Sequence, residues 1–206
     1  MIKLIIKFVV LILSLVGLVT LLISIMVSSQ LNSSPKPHMN EQALTYQEAK
    51  KIANQKLGNL SEEESQQAVT RFVDFLSNVG STDYIEREID AVYAQETYLN
   101  DTLKTFHTRA AIKEHFMKTA KAMTTYSLDT TDVTKSEKGY YVSWVMTYSS
   151  PKFAKGKDIV SIGVSYVMFD DQGLVTLHQD YWDSNAGFFE HLPVVSHLVK
   201  WIKNRL

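Results

Sequence analysis

The sequence predicts an α+β protein, a curved antiparallel sheet with helices packed on its concave face, preceded by one N-terminal transmembrane helix. Three observations carry that expectation. Residues 8–27 hold no charged side chain. Between about residues 45 and 123 apolar residues recur mainly at helical spacing, with one strand at 91–99, and after residue 126 they recur at a period of two among β-branched and aromatic neighbours. Helices followed by a run of strands is the order of an α+β layer arrangement.

The chain divides on this reading into an anchor (1–28), a linker with a short helix (29–60) and a folded domain (61–206). A domain of about 150 residues buries roughly 70% of its unfolded surface and needs no covalent staple. There is no cysteine among the 206 residues, which excludes disulfides, thiolate metal sites and cysteine nucleophiles. The net charge of -1 gives no global attraction to nucleic acid.

The N-terminal run contains only Ser14, Gly17, Thr20 and Ser24 among its large apolar residues. A helix of about twenty residues matches a hydrocarbon core of roughly 30 Å. Inside lipid every peptide group must bond within its own segment, which a helix achieves. The run is longer than the apolar core of a cleaved signal, and no face of it is polar, which argues against a core helix. Lys3 and Lys7 precede it, and only Lys36 follows closely. Cationic flanks stay cytoplasmic, so the domain is expected on the non-cytoplasmic side, periplasmic in a bacterium. Two prolines and four serines then mark residues 28–39 as linker.

Thr45 with Glu48 suggests a capping box for a short helix that Gly58 ends, with Ala49, Ile52 and Ala53 as its stripe. Ser61 with Glu64 suggests a second, opening a helix with Val69, Phe72, Val73, Leu76 and Val79 on one face and Gly80 beyond it. Residues 82–89 read as a short helix, 91–99 as a strand and 108–123 as a helix striped by Ile112, Phe116, Ala120 and Met123. Strands follow at 126–134, 140–149, 158–169 and 174–183, with turns at Lys138-Gly139 and Asp171-Gln172-Gly173. Pro193 opens a last amphipathic helix bearing Val195, Leu198, Val199, Ile202 and Leu206, with Lys200, Lys203 and Arg205 near its end. Such a helix either packs on the domain or meets anionic lipid.

A family resemblance rests on three stretches. They are Tyr93-Ala94-Gln95-Glu96-Thr97-Tyr98-Leu99-Asn100-Asp101, the helix Ala111-Ile112-Lys113-Glu114-His115-Phe116, and the last-strand ending His178-Gln179-Asp180-Tyr181-Trp182-Asp183. With the long first helix and four long strands, residues 61–183 resemble the NTF2-like superfamily, close to its SnoaL-like branch. The resemblance implies a cone-shaped pocket between sheet and helices and a homodimer through the sheet's open face. The superfamily contains isomerases, dehydratases, cyclases, epoxide hydrolases and noncatalytic binders, so fold alone leaves activity open.

Alternation puts His178, Asp180 and Trp182 on one face of the last strand and Gln179, Tyr181 and Asp183 on the other. His178 and Asp180 are the candidate acid-base pair; as a bland alternative they pin a strand end. Tyr93, Tyr98, Trp144, Tyr166 and Trp182 are candidate ligand-binding walls, Tyr93 also as a buried phenol donor to an oxyanion. Asp101 is either a pocket border or a turn residue. His115 reads as a packed histidine, His107 as a loop residue; His191 and His197 lie near the last helix and His38 in the linker. A metal centre needs three or four converging ligands, and Asp183 faces away from His178 and Asp180, so no metal is expected and no cofactor motif is present. Arg71, Arg87, Arg109 and Arg205 all fall off the strands, unlike the arginine between two aspartates in epoxide hydrolases of this resemblance.

Two functions remain open on the sequence. One is a membrane-anchored module binding a small apolar ligand or a protein partner. The other is an isomerase or dehydratase acting on a small polyketide-like or lipid-like substrate. Whether His178 and Asp180 open onto an enclosed cavity discriminates between a functional and a merely structural pair.

Overall fold

The structure is a computed structural model that describes residues 41–192 and 195–205. The chain divides into two units, Met1–Leu44 and Thr45–Leu206, and the sheet belongs to the second. The expected membrane helix at 8–27, the linker before residue 41, and Pro193 and Leu206 lie outside the described residues. Among the described residues, no helix is long and apolar enough to cross a membrane.

The order is α1 (Glu41–Gln55), α2 (Glu62–Asn78), α3 (Thr82–Val92), β1 (Tyr93–Asn100), β2 (Thr105–Thr108), α4 (Arg109–Ala122), β3 (Thr125–Lys135), β4 (Tyr140–Ser149), β5 (Ile159–Phe169), β6 (Val175–Trp182), α5 (Ser184–Gly187) and α6 (Val195–Lys203). The strands form one sheet in the order β2-β1-β6-β5-β4-β3. β6 through β3 make an antiparallel meander, but β1 runs parallel to β6, with Leu99 opposite His178. The sheet is therefore mixed rather than antiparallel. The chain enters β1 from α3, and only a crossover through β2, α4 and the meander brings β6 beside it.

The capping box at the start of α2 forms as its spacing predicts, with Ser61 Oγ accepting from Glu64 N and the Glu64 carboxylate accepting from Ser61 N. The box expected at Thr45 does not open a helix, because α1 already begins at Glu41. The strand expected from residue 91 starts at Tyr93, the last turn of α3 taking Ala91 and Val92. His107, expected in a loop, lies on the short edge strand β2.

Two apolar layers sandwich β6. On the concave side, Phe72 and Phe75 of α2, Ile85 and Ile89 of α3 and Ile112 of α4 are fully buried against Leu99, Val142, Val167 and Val175. Burial of each large side chain contributes about 1.5–3 kcal/mol. On the convex side, Ala53 of α1 packs on Tyr98, Tyr166, Met168 and Leu177, with Tyr46 and Ala49 beside them. Ile52, expected in the α1 stripe, is 44% exposed. Beyond α1 the convex face bares Val160, Ile162 and Tyr181.

Gly163 shapes the concave face. It lies opposite Trp144 in the β4–β5 ladder, and a Cβ there would sit 2.3 Å from the indole. The bare backbone lets the ring lie across β5. Gly163→Ala should push Trp144 aside and destabilise the full chain by about 1–3 kcal/mol, read as a lower midpoint in urea denaturation.

Candidate functional site

A cavity of about 420 Å³ opens between the concave face and helices α2 and α4. Its buried floor comes from the sheet, where Trp144 of β4, Ser165 of β5 and His178, Asp180 and Trp182 of β6 converge. Leu76, Phe116, Tyr126, Leu128 and Met146 contribute walls. The exposed Leu103, Lys104, Lys118 and Thr119 mark the mouth, with the pair Asp101–His115 beside them.

Strand register explains the floor. Ser165 is directly opposite Asp180 in the β5–β6 ladder. Its hydroxyl donates to Asp180 Oδ1 at 2.5 Å and accepts from Trp144 Nε1 at 3.0 Å. Two residues back on the same face, His178 Nε2 meets the same Oδ1 at 2.7 Å. Tyr93 OH lies 2.8 Å from His178 Nδ1, and Phe72 packs edge-on against the imidazole. Tyr93 is fully buried, and burial, then the charge of Asp180, raises its phenol well above the ordinary value. The phenol keeps its proton, and among the described residues its hydrogen-bond partner is His178 Nδ1. The network thus assigns His178 as the Nε2–H tautomer, donating to Asp180. Oδ1 takes two donors, while Oδ2 takes none from the described residues, and the half-buried carboxylate lines the cavity.

The phenols, indoles and hydroxyls around the cavity are already engaged. Tyr126 OH donates to Leu76 O at 2.8 Å, Tyr148 OH to Gly187 O at 2.7 Å, Ser150 Oγ to Ala122 O at 2.8 Å and Trp182 Nε1 to Asp101 O at 2.7 Å. Among the described residues, Asp180 Oδ2 is therefore the one unspent polar atom of the floor, facing aromatic and aliphatic walls.

At the mouth, Asp101 caps the β1–β2 turn by accepting from the backbone N–H groups of Leu103 and Lys104. The turn and pocket-border roles hold together, since it also lines the cavity. Its Oδ2 meets His115 Nε2 at 2.7 Å, and Phe106 stacks on that ring at 4.5 Å. Burial pushes the Asp101 carboxyl up, but the His115 hydrogen bond and charge with the two backbone donors outweigh it and hold the group below its ordinary 3.8.

The structure brings together His178, Asp180, Trp182, Trp144 and Asp101 at one cavity. Tyr93 stands behind His178 rather than on the cavity wall. Tyr98 and Tyr166, expected as pocket walls, sit on the convex face under α1 instead; Tyr98 OH donates to Gln179 there. Their side chains follow the pleat, which turns Tyr166 away from its neighbour Ser165. Sequence reasoning did not pick out Ser165, Tyr126 or Met146, nor His115 as a pocket residue. The small residues Ser161, Gly163 and Ser165 at alternate positions of one strand were the available signal, since a stripe without bulk leaves room above it.

Helices roofing a bent mixed sheet, with a hollow between them, match the cone-shaped fold that the resemblance to NTF2-like proteins implied. Solved structures similar to this chain include TsrD from Streptomyces laurentii, at 16% identity and a TM-score of 0.52 over 66% of this chain and 98% of that one. Another is a protein from Acidithiobacillus ferrooxidans assigned as a polyketide cyclase, at 19% identity and a TM-score of 0.50 over 63% of this chain and 95% of that one. A third, from Shewanella putrefaciens, is assigned as a SnoaL-like polyketide cyclase, at 14% identity and a TM-score of 0.50 over 58% of this chain and 82% of that one. At such identities the likeness is one of fold. No protein-family model and no curated protein matches the sequence.

Tyr93→Phe should leave His178 Nδ1 buried without a donor and cost about 1–3 kcal/mol in denaturant titration of the full chain, with the fold retained in circular dichroism. For Asp101, a folded-state value below the unfolded one adds stability above the unfolded value and loses it as pH falls through the folded one. Melting temperature should therefore drop on acidification from about pH 5 to about pH 2, and Asp101→Asn should lose that share of the slope.

Proposed function

We propose that this chain is a membrane-tethered domain whose cone holds a small, largely apolar molecule. The observation that carries the reading is the cavity itself. Its volume of about 420 Å³ falls in the range of small-molecule sites, roughly 300–1,000 Å³. Its wall is apolar and aromatic, with a single unspent polar atom on the floor, which suits orienting one polar group of a greasy ligand.

The tether rests on the uncharged run at 8–27 with its cationic N-terminal flank. Helix α6 agrees with it. Helix α6 also touches the domain, through the ion pair of Lys203 with Glu190 and the half-buried Val195 and Val199, yet none of its described residues is fully buried. Leu198, Trp201 and Ile202 share one exposed face, and Lys200 and Lys203 flank it, a pattern suited to an anionic lipid surface. The domain would stand on the non-cytoplasmic side.

A second reading, an isomerase or dehydratase acting on a polyketide-like or lipid-like substrate, draws support from Asp180, whose Oδ2 faces the cavity while His178 and Ser165 hold Oδ1. Base catalysis beside a carbonyl also needs donors for the developing oxyanion. The phenols, hydroxyls and indoles that line this cavity donate to protein acceptors. That balance favours binding over turnover.

Two measurements test the reading. Carbonate washing should leave the full chain in the membrane pellet, and its release intact would sink the tether. Mass spectrometry of the detergent-purified full chain should detect a copurifying small molecule that Met146→Trp, by filling the cone, displaces. Equal loading of that variant would place the molecule elsewhere.

A further inference from the structure

The floor of the cone holds a carboxylate whose one close ion-pair partner among the described residues is a histidine. Asp180 pairs with His178 alone among the described residues, and no described lysine or arginine lies within ion-pairing distance of it. The Tyr93 contact at Nδ1 fits the Nε2–H tautomer of His178, which gives Asp180 a hydrogen bond. Ser165 and Trp144 add dipoles but no charge. A carboxylate whose side chain is only 17% exposed is costly to hold without a counter-charge.

The surroundings of Oδ2 are also chemically biased. The remaining inner wall presents the rings of Tyr126, Trp144, Trp182 and Phe116. Ring faces attract cations through their quadrupole, most strongly where water is excluded. An acceptor with no donor of its own among the described residues, in a cavity lined by aromatic residues, is complementary to a cation that can also donate a hydrogen bond. Resting on the ligand-binding reading above, we propose that the cone selects an apolar primary or tertiary amine in its protonated form, with the ammonium N–H on Asp180 Oδ2 and the hydrocarbon body toward Leu76, Leu128 and Met146.

Lys104 and Lys118, exposed residues that line the cavity, have no ion-pair partner among the described residues. They define the competing possibility, an anionic head held at the rim, and the probes separate the two. The chain has three tryptophans, so Trp201→Phe leaves only Trp144 and Trp182, both in the cavity wall, as fluorescence reporters. The full chain carrying that substitution, in detergent at pH 7, is titrated with cyclohexylmethylamine, cyclohexylmethanol and cyclohexanecarboxylate. The ammonium should bind at least about tenfold more tightly than the alcohol, and Asp180→Asn should erase that preference while alcohol affinity stays within about twofold. Equal or tighter binding of the alcohol, tighter binding of the carboxylate, or a preference that survives Asp180→Asn overturns the amine assignment and leaves the ligand-binding reading standing. Saturable binding of none of the three overturns that reading too.

Discussion

A buried chain of polar groups runs through the concave wall from Tyr93 to His178, Asp180, Ser165 and Trp144. Each link has one donor and one acceptor, and each sits where an unmet hydrogen bond would cost about 1–3 kcal/mol. That constraint reaches far into the fold. It requires β1 to lie beside β6 so that Tyr93 stands behind the imidazole, β5 to hold Ser165 opposite Asp180, and Gly163 to be bare so that the Trp144 indole can cross to Ser165. Satisfying the network also decides which polar atom is left over. Among the described residues the sole remainder on the floor is Oδ2 of Asp180, and the chemistry of the site follows from that remainder.

The two sides of the sheet divide the labour. Helix α2 fills the closed end of the cone with Phe72 and Phe75, while the sheet bends away to leave space beneath α4. Helix α1 covers the other side of β6, and this is why residues 175–179 are buried on both faces. Sandwiched from both sides, the floor strand is held firmly, which suits a site whose polar groups must stay within hydrogen-bond distance of one another.

Much of the architecture was legible from residues alone. The helical stripes of α2 and α4 and the four meander strands follow from periods of 3.6 and two, and the capping box at Ser61 formed as its spacing indicates. Alternation along β6 put His178, Asp180 and Trp182 on one face, and all three line the cavity. The same rule applied between Tyr93 and Tyr98 would have separated them, since an odd spacing of five reverses the face in a regular strand. A register shift falls between them as well, and Tyr93 joins the concave core while Tyr98 joins the convex one. Edge strand β2 left no mark because Thr105–Thr108 is too short and too exposed to carry a period.

By itself the sequence determined the uncharged N-terminal run, the order of helices before strands and the facing of His178 through Trp182 on β6, because all of these depend on spacing within one segment. Tertiary structure alone decided the parallel pairing of β1 with β6, the burial of Tyr98 and Tyr166 beneath α1, and the meeting of Ser165 and Trp144 with Asp180. Those facts depend on which distant segments become neighbours. That choice is made by packing volume and hydrogen-bond satisfaction across the whole sheet, which no single stretch of residues encodes.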